Sequence, residues 1–357
     1  MPLPFILAGA AVAAASYGAK KGYDGYQDKT LANEILESAK KDYENEKEVF
    51  DVANDRTNRS LTKLGESQLK VGQDFKEFRT IAEKLLAQLE LSGSHDLKID
   101  IPQHKLDEID GLALSATEYL SKVVAGGMGG AAAAYAVYGG VMALAAASTG
   151  TPIAALSGAA AYNAAMAAIG GGSLAAGGFG MAGGAMVLGG VVAAPIIAVA
   201  GWAFASHAEE ALNDARETRI EVDDAVSKMV KGKKQLNKTR LYVDQIYTET
   251  NRVYQIFLTY FDSLKMMEQL INTGGDIKAV EDEVIRIIQN GYQVAAILTD
   301  IITTPLFKPK YDANGEVVIN KDNVVEIETD KDGMQVINES AIKASMAKSQ
   351  EDSRQFA

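Results

Sequence analysis

At 357 residues, 47% of them hydrophobic and 23% charged, the chain is long enough to bury a sizeable core in one or two domains. Its formal net charge of -12, with no basic arm, argues against a nucleic-acid partner, which needs clustered Lys and Arg to displace counterions from phosphate, and against electrostatic attraction to anionic lipid. The absence of cysteine excludes thiol catalysis, disulfides and thiolate metal sites, and fits a reducing cytoplasm as well as a secreted protein.

Residues 1–21 open with an apolar run from Pro2 to Ser16 that imitates a signal-peptide core. No Lys or Arg precedes it, and Lys20 and Lys21 follow it, so it is expected to be retained. About 15 apolar residues are short for a membrane span, which predicts a helix docked on the protein or dipping into one leaflet. Residues 29–91 contain no proline, and apolar residues recur at threes and fours through Ile35, Ala39, Tyr43, Phe50, Ala53, Leu61, Leu64, Phe75, Phe78, Leu85 and Leu89. This predicts an amphipathic helix of about 90 Å, with a bend at Gly65 and Gly72. Ser92-Gly93-Ser94 ends it, and a loop with Pro102 leads to a shorter helix over 104–122, completing an arm of residues 22–122.

Between Lys122 and Glu209 there is no Asp, Glu, Lys or Arg, which leaves 86 consecutive uncharged residues holding 19 of the 33 glycines. A globular helix normally carries charge on its wet face, so a soluble core does not read this way. Breaks at residues 148–152, at 170–173 and at Pro195 delimit 123–147, 153–169 and 174–205, near or above the length that crosses a hydrocarbon core. Ala and Gly are only weakly hydrophobic, so such helices insert marginally alone and pack together through small residues four apart. The pairs Gly126/Gly130, Gly139/Ala143, Gly180/Gly184 and Gly190/Ala194 supply that spacing, Pro195 marks a break, and Trp202 suits headgroup depth. These positions are the candidate sites for membrane insertion and helix packing.

Residues 209–273 repeat the proline-free amphipathic pattern, Gly274-Gly275 breaks it, and residues 276–303 predict one more helix, giving a second arm over 209–304. From Pro305 the pattern changes to short β-like runs at 308–311, 316–320, 324–328 and 334–337, separated by Asn314-Gly315, Lys321-Asp322-Asn323 and Asp332-Gly333 turns. Residues 305–340 are read as a small β-meander, and 341–357 as a polar tail whose helix frays or is disordered. The fold class expected is mainly α: long amphipathic helices in an antiparallel bundle around a Gly/Ala-rich hydrophobic helical hairpin, with the β-meander at the C-terminus.

The stretch Leu156-Ser-Gly-Ala-Ala-Ala161, Asn163-Ala-Ala and the run from Gly170 through Gly180, Gly184 and Gly190 to Pro195 resembles a widespread, poorly characterised bacterial glycine-zipper family. Its members similarly open with Met-Pro-Leu-Pro and place the zipper between two long helices. The resemblance covers about residues 1–300 and implies no activity. The plan is also similar to cytolysin A-type α-pore-forming toxins, colicin pore domains and apolipoprotein L, an analogy of architecture that transfers function weakly.

Other constellations carry little. Gly178-Phe-Gly180-Met-Ala-Gly183 satisfies G-x-G-x-x-G without the acidic residue a dinucleotide site needs, and no Walker motif occurs. His95 and His104 read as surface residues, and His207 as an interfacial one with a pH trigger as the sharper alternative. Residues 312–316 and 330–333 read as hairpin turns rather than calcium loops. No cofactor, metal site or catalytic set is expected, so an enzyme is not. The leading expectation is a protein made soluble in a bacterial cytoplasm that then oligomerises and inserts into a lipid membrane as a pore former, toxin or defence effector, secretion remaining open. A non-lytic membrane-anchored scaffold whose arms bind a protein partner, and a soluble oligomer with a glycine-zipper core, are the alternatives.

Overall fold

The computed structural model describes residues 22–93, 100–123, 132–133, 135–137, 208–315, 317–318, 326–331 and 334–356, and these are mainly helical. The helices are α1 (Gly22–Leu91), α2 (Gln103–Val123), α3 (Ala208–Asn272), α4 (Glu281–Ile302) and α5 (Glu339–Asp352), with 3₁₀ turns at Ile277–Val280 and Ser353–Phe356. The N-terminal apolar run at 1–21 lies outside the described residues.

Buried positions on α1 step by threes and fours through Ala32, Leu36 and Ala39 and, after a half-buried stretch, through Phe50, Ala53 and Thr57. They continue through Leu61, Leu64, Gln68, Val71, Phe75 and Phe78. On α3 the same spacing runs unbroken through Ala215, Thr218, Val222, Ala225, Met229, Leu236, Thr239, Val243, Ile246, Thr250, Val253 and Phe257. Seams of this period are those of a coiled coil.

The two long helices run parallel, which corrects the antiparallel arrangement expected from the sequence. Cross-helix partners rise in number together: Asp42 with Arg219 (2.7 Å), Glu46 with Lys233 (2.5 Å), Glu77 with Lys265 (3.3 Å) and Lys84 with Glu268 (2.7 Å). Inside the seam the Thr57 hydroxyl donates to the Leu236 carbonyl (3.1 Å), and Tyr254 donates to buried Asp74. Exposed ion pairs contribute little each, so the direction rests on the apolar seam and these internal polar contacts.

α3 ends in a Schellman turn. Gly274 takes φ +97, its N–H bonds the Ile271 carbonyl (3.1 Å), and the Gly275 N–H reaches back to Leu270 (3.0 Å). α4 then returns against α3 and α1. Phe78 sits at this junction, with ring centroids 5.3 Å from Phe257, 6.1 Å from Phe261 and 5.1 Å from Tyr292. Gly291 makes the fit possible, because a Cβ there would lie 2.3 Å from the end of the Phe78 ring.

The C-terminal segments pair near where the β pattern predicts, yet among the described residues they form isolated antiparallel bridges and no strand. The described residues do not establish the expected meander, and their backbones close hydrogen-bonded rings. Lys310 donates its backbone N–H to Glu326, Glu326 to Val318, and Val318 back to Lys310, each at 2.8 Å. A second triangle joins Lys308, Val336 and Glu328 at 2.8–2.9 Å. The expected frayed tail is instead α5, which lies parallel to α3 with Ile342, Ser349 and Ser353 buried.

Parallel pairing places Ala39 opposite Thr218 in equivalent seam positions. In this cysteine-free chain, Ala39→Cys with Thr218→Cys is expected to cross-link on mild oxidation, whereas Ala39→Cys with Thr250→Cys is expected not to; intact-mass measurement distinguishes the two pairs.

Candidate functional site

The site of interest is where the uncharged block meets the helices. Gly65 and Gly72 are one heptad apart on α1 and so share a face. The sequence suggested a bend there, but α1 runs through both without interruption. Their role is close approach. At Gly72 a Cβ would fall 2.4 Å from the Ala116 methyl and 3.1 Å from the Leu112 carbonyl oxygen, so this glycine seats α2. At Gly65 a Cβ would fall 1.7 Å from the carbonyl oxygen of Ala132 and 2.5 Å from its carbon, so this glycine seats the beginning of the block.

Residues 132–133 and 135–137 are helical, and Ala132, Tyr135, Ala136 and Val137 are buried in the same core as Phe75 and Phe257. The Tyr135 ring packs 5.1 Å from that of Tyr119 on α2. On α1, burial widens beside this contact to include Leu69, a residue off the two-helix seam. The sequence reading set the block inside the bundle without saying which residues of the arms would receive it. A glycine in an otherwise regular amphipathic pattern was the available signal.

The candidate positions Gly126, Gly130, Gly139, Gly180, Gly184, Gly190, Pro195 and Trp202 lie outside the described residues, as do His95 and His207. His104 is exposed on α2. Among the described residues no helix is long and apolar enough to cross a membrane, and no cluster of His, Asp and Glu could hold a metal ion.

The parallel register sets where the block must go. Ala215 packs with Ala32 and Leu36, which puts the start of α3 near the beginning of α1. Residues 138–207 therefore join a point at Gly65 to a point about 36 residues nearer the N-terminus of α1, roughly 55 Å away at 1.5 Å per residue. The apolar run before Gly22 and the last part of the block before Ala208 leave from the same end of the coiled coil.

Midway along α3, three carboxylates hold α5. Asp300 on α4 accepts from Lys105 on α2 (2.5 Å) and Lys348 on α5 (2.9 Å). Glu249 on α3 accepts from Arg252 (2.6 and 3.0 Å) and Ser349 (2.6 Å), and Arg252 also donates to Ser353 (2.8 Å). Burial by itself would raise the pKa of both acids, but these bonds and the neighbouring cations outweigh it and hold both below their ordinary values. Glu339 on α5, bonded by Lys238 and Tyr242, is held down to about 2.

No protein-family model, curated protein or solved structure matches the chain.

A carboxylate with a lowered folded pKa stabilises fully above its unfolded value of about 4 and loses that contribution as pH falls through the folded value. Urea unfolding followed by helicity is therefore expected to show stability decreasing from pH 5 to pH 3. Asp300→Asn, which lacks the charge at every pH, is expected to be less stable at pH 7 and to show a shallower decrease.

Proposed function

We propose that this protein inserts into lipid bilayers, its long helices serving as the soluble carrier and assembly surface and its Gly/Ala-rich block, residues 123–208, as the inserting part. The reading is non-enzymatic and pore-forming or permeabilising. The observation that carries it is the 86-residue run without a single charge in a chain that is otherwise acidic. Hydrophobic insertion is the form of membrane attachment open to a protein of net charge -12.

Two further observations support it. The block is Ala- and Gly-rich, so it is marginal as an isolated span yet able to pack against protein, as a segment made soluble and inserted later has to be. Its far end and the N-terminal apolar run leave from one end of the coiled coil, so a single approach brings both to a bilayer. Burial of Ala132, Tyr135 and Val137 favours one competing reading, a soluble oligomer with a glycine-zipper core.

Vesicle flotation and dye release separate these readings. The inserting protein is expected to float with vesicles and release an entrapped dye; flotation without leakage would indicate a non-lytic anchor, and no flotation at any pH or lipid composition would leave the soluble oligomer. Replacing Gly180 and Gly184 together by Leu is expected to reduce oligomer size and dye release, because bulky side chains hold packed helices apart. Unchanged assembly and leakage would remove these two glycines from the packing surface.

A further inference from the structure

We propose that Gly65 is the seat of an autoinhibitory latch: it holds residues 132–137 against α1 and so keeps the uncharged block on the soluble bundle, and insertion begins when this segment leaves. The inference rests on the membrane-inserting reading above and adds where that event is held back.

The contact is backbone to backbone. The atoms nearest a Cβ at position 65 are the carbonyl oxygen, carbonyl carbon and Cα of Ala132, at 1.7, 2.5 and 3.1 Å. None is the end of a side chain that could swing aside, so any residue other than glycine must displace the segment. At Gly72 the nearest atom is a methyl group of α2, and at Gly291 the end of the Phe78 ring. Gly65 is thus the glycine whose notch holds the block itself.

The hold is also modest, as a releasable contact requires. The segment contributes one aromatic ring, one branched aliphatic side chain and several alanines, whereas the α1–α3–α4 junction is closed by Phe75, Phe78, Phe257, Phe261 and Tyr292. Apolar stabilisation scales with area removed from water, so the alanine-rich segment is the weaker attachment of the two. Its removal leaves the seam intact, because Gly65 lies on the face of α1 beside Leu69 and Gly72 and not among the residues that meet α3. Between Val137 and Ala208 no charged side chain is present to tie the remaining 70 residues to the arms by ion pairs.

The test uses the full chain with Ala136→Cys as a reporter of burial, since no other cysteine is present. Labelling by a soluble maleimide is expected to be slow in this parent, and at least tenfold faster when Gly65→Leu is added. Flotation with vesicles of mixed zwitterionic and anionic phospholipid at neutral pH is expected to increase in the same variant. Tyr135→Ala removes the buried ring without touching α1 and is expected to act in the same direction, which keeps the test decisive if Gly65→Leu loses helicity. Labelling that stays slow in the folded variants overturns the latch. Flotation of the parent that the variants do not exceed overturns the latch as a brake and leaves the membrane reading standing. Faster labelling with no flotation by parent or variants overturns the membrane reading, and the brake with it.

Discussion

The parallel pairing of α1 with α3 is the constraint on which the rest of the molecule depends. Two antiparallel helices can be joined by a few residues, but two parallel ones in a single chain need a connection that returns along their whole length. Residues 92–207 have to make that return. α2 and the start of the block remain on the upper half of α1, at Gly72 and Gly65, and the remaining 70 residues cover the distance to the base of α3. A segment of such length and composition is therefore part of the topology as well as the proposed inserting element. Withdrawing it from the arms need not separate them, because the seam is built by α1 and α3 themselves.

What specifies parallel over antiparallel is a small set of interior groups. Thr57 sits at a seam position where an aliphatic residue would bury more apolar surface. Polar residues at such positions cost stability and fix register, since the wrong pairing strands them without partners. The Thr57 bond to the Leu236 backbone and the Tyr254 bond to Asp74 each need one alignment of the two helices. The Asp74 carboxylate also receives Lys70 at 2.6 Å, so its charge is paired within one turn of its own helix.

Much of this was legible in the sequence, and the exceptions have physical causes. The spacing of Ala39, Phe50, Ala53, Leu61 and Leu64, and of Val222, Ala225, Met229 and Val243, identified both long helices, because a buried stripe imposes a period. Direction was hidden, since that period reads the same for parallel and antiparallel partners and the charges that flank it pair in either sense. Gly65 and Gly72 were read as a bend because a missing side chain signals freedom when the neighbour is unknown; neighbours so close that a Cβ would lie 1.7 and 2.4 Å from them turn the same absence into contact. α5 passed for a loose tail because its attachment relies on Lys348, Ser349 and Ser353 rather than on an apolar stripe. Of the candidate site, its composition was readable, while the seat of its first turns on α1 depended on long-range proximity that no local pattern encodes.

The two hydrogen-bonded triangles near the C-terminus bear on how copies of this chain can meet. In Lys308, Val336 and Glu328, and again in Lys310, Val318 and Glu326, both backbone polar groups of every residue are consumed inside the ring. An ordinary small sheet ends in an open row of donors and acceptors that invites a strand from another molecule. These six residues offer no such row. Edge-to-edge growth through the backbone is closed to these six positions.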